Sequence, residues 1–314
     1  MTIFQIGWGG QGKAWAPSLR EAGHSICVVL RDGSNHWKEA AATGCTVLSF
    51  SEFLNKIEPK SIVVPLVPDR VIADLYNNYL KETPFTIDVV LACGYPMWSG
   101  LLTPNPIHKI LMFAPKAIGS ELRKSVLDKN NTKKAAILPH SANNATIQLI
   151  QAALLFQNEN LIEATFAQET VGDLISEQLL LCGGLFTLIS HTQRLMTKAG
   201  IPDSLIQEEI FTELGFIAKV LQERGLEGTF QAISDSAKTG ATVMRDELEQ
   251  FGLVHVLEKR VQQILSKTFV QQLQNAAPAI AFAGTSAHTT SETATAPKCA
   301  TPESSLHERP DSHA

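Results

Sequence analysis

Asp173 and Glu177 stand four residues apart in the run Glu169-Thr-Val-Gly-Asp-Leu-Ile-Ser-Glu-Gln-Leu-Leu-Leu-Cys-Gly-Gly184, and Glu209 and Glu213 repeat the spacing further on. On a helix, residues i and i+4 share a face about one turn apart. Two such pairs on facing helices would set four carboxylates around one point in the core. Carboxylates buried together need their charge cancelled, and oxygen-only ligands suit magnesium or manganese. The spacing therefore predicts an acidic metal centre made of Asp173, Glu177, Glu209 and Glu213. Two solvated helix faces are the plainer account, since Asp and Glu are rarely buried. Against it stand Leu174, Ile175, Leu179, Leu180, Leu181, Leu185 and Phe186, which leave little room for a wet face.

The second chemical signal lies at the other end. Ile3-Phe-Gln-Ile6 reads as a short apolar strand and runs into Gly7-Trp8-Gly9-Gly10-Gln11-Gly12, with a helix expected over Lys13–Ala22. This G-x-G-x-x-G permits a tight turn, close approach of backbone to a pyrophosphate, and helix-on-strand packing. The helix N-terminus offers unpaired N–H groups to the phosphate. Ile26-Cys-Val-Val-Leu30 reads as the next strand and ends at Arg31-Asp-Gly-Ser34, with His36 close behind. Arg31, Ser34 and His36 suit a 2′-phosphate and favour NADPH over NADH, with Asp32 and a merely solvated Arg31 counting against it.

Elements of two kinds must hold these groups. Up to about Lys134 short apolar strands alternate with helices: Ser61–Leu66, ending at Val67-Pro68-Asp69; Thr86–Ala92, ending at Cys93-Gly94-Tyr95; Ile110–Ala114, ending at Pro115-Lys116; and one more near Ala135–Leu138. Such alternation predicts a parallel doubly wound sheet with function at the strands' carboxyl ends. From Asn144 helical periodicity takes over, with an extended interruption near Ala164–Glu169. The expectation is a Rossmann-type α/β domain over 1–168, an all-α domain over 169–275, and a tail at 276–314 too poor in large apolar groups to pack.

With 314 residues, a formal charge of −5 and 44% hydrophobic residues, the chain is long enough for two cores. Its mild acidity gives no reason to expect nucleic acid or an anionic membrane. Cys27, Cys45, Cys93, Cys182 and Cys299 are scattered and odd in number, which reads as reduced thiols rather than a disulfide frame. No signal peptide precedes the first strand, and the stretch Leu179–Ile189, broken by Gly-Gly, is read as a core helix too short to span a bilayer. A cytoplasmic protein is expected. His140, His191 and His255 lack the spacing of metal ligands. Ser236, beside Ser234, reads as structural.

Together these residues resemble the ketol-acid reductoisomerase family, the magnesium- and NADPH-dependent enzymes of branched-chain amino-acid biosynthesis. Gly7-Trp-Gly-Gly-Gln-Gly-Lys-Ala14 resembles the family's G-Y-G-S-Q-G-H-A, Leu30-Arg-Asp-Gly-Ser34 its L-R-x-G-S, and Leu66-Val-Pro-Asp69 its L-x-P-D. Ala114-Pro-Lys-Ala117 matches A-P-K-A. Asp173-Leu-Ile-Ser-Glu-Gln178 with Leu181-Cys-Gly-Gly-Leu185 is close to D-L-x-G-E-Q and L-C-G-G-L. Glu209 and Glu213 fall in register with E-x-x-x-E, and Ile233-Ser-Asp-Ser-Ala237 resembles I-S-N-T-A. The likeness runs from Ile3 to about Gln274, in the short form with one helical domain.

The resemblance implies an oxidoreductase/isomerase that joins a 1,2-alkyl shift to hydride reduction of a 2-hydroxy-3-keto acid such as 2-acetolactate. It implies Asp173 bridging two Mg2+ ions, Glu177 completing one site, Glu209 and Glu213 the other, and Ser234 on the substrate carboxylate. Lys116 would serve acid–base steps. Gly7 to Gly12, Arg31, Ser34, His36, Pro68 and Asp69 would face the cofactor. It further implies a knotted helical domain and a homodimer or larger homo-oligomer. Four departures stand out: Cys93 replaces the histidine of the family's A-H-G-F, Pro96 its usual asparagine, Lys13 the histidine after the glycine loop, and His36 a serine near the cofactor phosphate. Cys93 leaves three accounts open: a reductoisomerase or a paralogue for another hydroxy-keto acid, a non-catalytic NADPH binder, or a redox role for the thiol.

Overall fold

The computed structural model describes residues 2–117, 119–128 and 133–270; Cys299 and the expected tail at 276–314 lie outside the described residues. β1 (Ile3–Ile6), β2 (Ile26–Leu30), β3 (Thr46–Ser49), β4 (Ile62–Pro65), β5 (Asp88–Leu91) and β6 (Lys109–Pro115) are short and mostly apolar, as strands covered on both faces must be. β7 (Ala135–Ile137) and β8 (Leu161–Glu163) complete an eight-stranded sheet in the order β3-β2-β1-β4-β5-β6-β7-β8. β1 to β6 run parallel, and β7 is antiparallel to β6. The order turns back at β1, so the crevice of this doubly wound sheet opens beside the glycine loop.

Helices close both faces. α1 (Gly12–Glu21), α6 (Gly119–Leu127) and α7 (Ala145–Ala153) cover one, where Trp15 meets Phe113 edge-on at 5.8 Å and Phe113 meets Phe156 at 5.2 Å. α3 (Phe50–Lys56) and α4 (Asp69–Leu75) cover the other around Phe4, Phe53, Tyr76 and Leu91. The short helices α2 (Trp37–Ala42) and α5 (Tyr95–Trp98) follow β2 and β5.

The rest is helical: α8 (Phe166–Ile175), α9 (Phe186–Lys198), α10 (Asp203–Gln207), α11 (Glu213–Ala232), α12 (Asp235–Gln250) and α13 (Leu253–Leu265). Two π-helical segments, Ser176–Leu185 and Glu208–Thr212, join α8 to α9 and α10 to α11. Such wide turns are rare and gather at functional sites. Each acidic pair spans one end of such a segment.

Three expectations need correction. The extended stretch near Ala164–Glu169 is displaced: the strand is Leu161–Glu163, and Thr165 caps α8 in a capping box with Gln168. Gly183 and Gly184 do not break a short core helix, because Phe166–Lys198 is one helical run of 33 residues. A Cβ at Gly183 would lie 1.8 Å from the Gln178 carbonyl oxygen, so these glycines accommodate the π turn. Finally, the π segment is not core within one chain, with Leu180 63% and Leu181 45% exposed. Leu174, Ile175, Leu179 and Leu185 around Glu177 are only half-buried within their own chain.

Candidate active site

The glycine loop is held from beneath by Gln5, a fully buried polar residue of β1. Its side-chain amide donates to the carbonyls of Gly7 (2.9 Å) and Gly12 (3.1 Å), tying both ends of the loop to the strand. Gly7 has a φ of +105°, and a Cβ there would lie 2.5 Å from the Leu66 carbonyl oxygen. Nothing lies within 4 Å of where a Gly9 Cβ would point. That side of the loop is open, as the approach of a pyrophosphate to backbone requires. A cleft of about 270 Å³ runs from Gly9, Gly10 and Gln11 past Leu66 to Asp69 and Cys93. The loop fits the pyrophosphate of a dinucleotide.

At the carboxyl ends of β5 and β6 the cleft meets a charged group. Lys116 Nζ lies 2.5 Å from Glu169 Oε1 and 3.8 Å from Asp173 Oδ1. The other Glu169 oxygen accepts from the Gly94 N–H at 2.7 Å. Glu169 therefore locks α8 onto the β5–α5 turn and is itself almost wholly buried. Sequence reasoning passed over it. The available signal was its place one turn before Asp173, which makes 169, 173 and 177 a single i, i+4, i+8 ladder in one helical run.

Cys93 donates its thiol hydrogen to Asp69 Oδ1 at 3.0 Å. Burial pushes the Cys93 thiol well up, and the charge of Asp69 adds to it, so Cys93 is a neutral thiol and a poor nucleophile. Burial also raises the Asp69 carboxyl; the Cys93 hydrogen bond opposes this, while Glu169 and Asp173 add to it. Asp69, expected beside the cofactor, thus also belongs to the acidic group. Asp173 is raised by burial against the pull of Lys116, and Glu177 by partial desolvation and by Asp173. The donor set is all oxygen with excess negative charge, which suits a hard divalent cation.

That set is incomplete in one chain. Glu209, Glu213 and Ser234 are exposed, and Ser234 caps α12 by accepting from the Ala237 N–H. Among the described residues no three His, Cys, Asp or Glu side chains converge closely enough to hold a metal. The four-carboxylate core predicted from spacing does not form within a single chain. Arg31, Ser34 and His36 do flank the end of β2 as expected, the His36 N–H donating to Ser34 Oγ at 3.3 Å.

Gly94 sets how near α8 can come. A Cβ there would lie 2.4 Å from the Phe166 carbonyl oxygen and 2.7 Å from Thr170 Oγ1. Gly94→Ala is expected to cost about 1–3 kcal/mol, measured by denaturant unfolding, because backbone cannot yield as a flexible side chain can.

A glycine-loop Rossmann sheet with a lysine–carboxylate group at the strand ends defines a nucleotide-dependent oxidoreductase architecture. The comparisons narrow the class. The acetohydroxy acid isomeroreductase NADPH-binding domain matches residues 1–153, and the ketol-acid reductoisomerase C-terminal domain matches 166–297. The chain is 30% identical over 277 residues to the ketol-acid reductoisomerase (NADP(+)) of Methanobrevibacter smithii, covering 86% of this chain and 82% of that one. It is 28% identical over 275 residues to the enzyme of Pyrococcus abyssi, with the same coverage. Among solved structures, an NADH-preferring ketol-acid reductoisomerase from an uncultured archaeon shares the fold at a TM-score of 0.73 and 23% identity, over 87% of this chain and 85% of that one. The chain belongs to the ketol-acid reductoisomerase family.

Proposed function

We propose that this chain is an NADPH- and magnesium-dependent ketol-acid reductoisomerase acting on a 2-hydroxy-3-keto acid such as 2-acetolactate, in the cytoplasm. Residues 1–168 bind the cofactor and 169–275 carry the metal and the dimer interface. The observation that carries this reading is the Lys116–Glu169–Asp173 contact, placed where the glycine-loop cleft ends.

A second copy of the chain completes the site. The helical region exposes the large apolar side chains of Phe186, Leu195, Phe216, Leu226 and Phe251, which a second copy would take out of water. The helical run is long and apolar enough to cross a membrane. However, it bears Glu169, Asp173 and Glu177, and its start is ion-paired to the sheet. A second copy would cover these side chains and bring its Glu209, Glu213 and Ser234 to Asp173 and Glu177.

Asp173, Glu177, Glu209 and Glu213 would hold magnesium, which eases deprotonation of a tertiary hydroxyl, while NADPH held on the glycine loop supplies hydride. The chain's own groups position and protonate. Glu169 accepts from Lys116 and from the Gly94 amide and so fixes the ammonium 3.8 Å from Asp173. Lys116 presents its remaining protons to substrate oxygen. Cys93 orients Asp69 and carries no positive charge, so proton handling at this point differs from that of an imidazole.

NADPH oxidation with racemic 2-acetolactate, with and without magnesium, tests the reading. Magnesium-dependent turnover supports it. Silence with NADPH binding intact redirects it to another hydroxy-keto acid or to a non-catalytic NADPH binder. Cys93→His gives the enzyme an imidazole beside Asp69 and is expected to raise acetolactate turnover by about tenfold or more. A fall in kcat would mean that the pocket is built for another substrate.

A further inference from the structure

Two of the positions where the glycine loop and its surroundings depart from the family pattern meet at one carboxylate, with a third beside them. Lys13 Nζ lies 2.7 Å from Glu39 Oε1, and His36 Nδ1 lies 3.3 Å from Glu39 Oε2. Trp8, where the family has tyrosine, is buried with its indole Nε1 lacking a hydrogen-bond partner among the described residues. Lys13 first, then His36, hold the Glu39 carboxyl below the usual range. The three come from different elements: the glycine loop, the first turn of α1, and the start of α2. They surround the end of β2, where the loop of Arg31 and Ser34 is pinned by the Trp37 indole donating to the Arg31 carbonyl at 2.9 Å.

The charges decide what this arrangement favours. A 2′-phosphate brings about −1.5 to −2 at neutral pH and would draw on Arg31, Lys13, His36 and Ser34. Glu39 already engages Lys13 and His36, so only the Arg31 guanidinium is left without a side-chain partner among the described residues. A ribose with two free hydroxyls makes the opposite demand. It needs an acceptor, and a carboxylate near the end of β2 is the usual one.

We propose that Glu39 is a specificity-determining residue: it withholds Lys13 and His36 from the 2′-phosphate and offers its own oxygens to the ribose hydroxyls, so the site admits NADH beside NADPH. The proposal rests on the dinucleotide reading above. Glu39→Gln keeps the side chain's shape and its accepting oxygen but removes the charge.

Fluorescence titration of the full-length protein with NADPH and with NADH, at one fixed salt concentration, reads both affinities without turnover. In Glu39→Gln the ratio of NADH to NADPH dissociation constants is expected to rise by about three- to tenfold, the scale of one exposed charge. Arg31→Ala is expected to move the ratio the other way. An unchanged or lowered ratio in Glu39→Gln, with Arg31→Ala behaving as expected, overturns the role of Glu39 and leaves the dinucleotide reading standing. If the wild-type chain binds neither nucleotide, both fail. Should Glu39→Gln melt far below the wild type, Lys13→Met gives a second test. Its NADPH affinity should change little, because Glu39 already holds that cation, and a loss as large as that of Arg31→Ala overturns the proposal.

Discussion

Lys116→Met is expected to abolish turnover and to lower folding stability by about 2–4 kcal/mol, because it strips the cation from a buried carboxylate. Glu169 has a side chain only 3% exposed and cannot turn to water when its partner is lost. The Gly94 N–H remains to it, but one neutral donor does not offset a buried charge. Lys116 keeps some contact with solvent, which places the cost below that of a fully enclosed pair. Stability is read by urea unfolding. Adding Glu169→Gln to Lys116→Met should recover most of the lost stability, since an amide needs no counter-ion. It should recover none of the turnover, since the ammonium beside Asp173 is gone. Recovery of both would mean that Lys116 is structural only.

Asp173→Asn is expected to lower kcat by at least about a hundredfold, the scale for removing one charged group that acts only in the transition state, while NADPH binds as before. Asp173 sits between Lys116 and Glu177, where it would hold the metal in the proposed reading. NADPH would meet the glycine loop instead, so its binding should be spared. The substitution should also slightly stabilise the apoprotein, because the Asp173 carboxyl is desolvated and repelled by Glu169. Unchanged magnesium-dependent turnover would remove Asp173 from the metal centre.

Much of this was written in local sequence. The strands of the sheet are short apolar runs that end in Gly, Pro or charged residues, and the parallel pattern follows from strands covered on both faces. The glycine loop could be placed because Gly7 and Gly12 sit where a side chain would strike backbone, a constraint of spacing alone. β3 was harder: Thr46–Ser49 is four residues long with a half-polar pattern, too little for periodicity to register. The antiparallel turn of β7 is likewise invisible locally, because it depends on the connection through α6.

The site divides in the same way. Residue type and spacing determined that Asp173, Glu177, Glu209 and Glu213 carry oxygen donors in two pairs, and that Lys116 ends a strand. Tertiary structure alone decided which of them meet. Glu169 became the partner of Lys116 because α8 packs on the β5–α5 turn, at a distance Gly94 permits. Glu39 became the partner of Lys13 because α1 and α2 come together over the end of β2. Glu209 and Glu213 stay exposed on their own chain. Helical spacing fixes the face a side chain takes, but which surface that face meets is set by long-range packing.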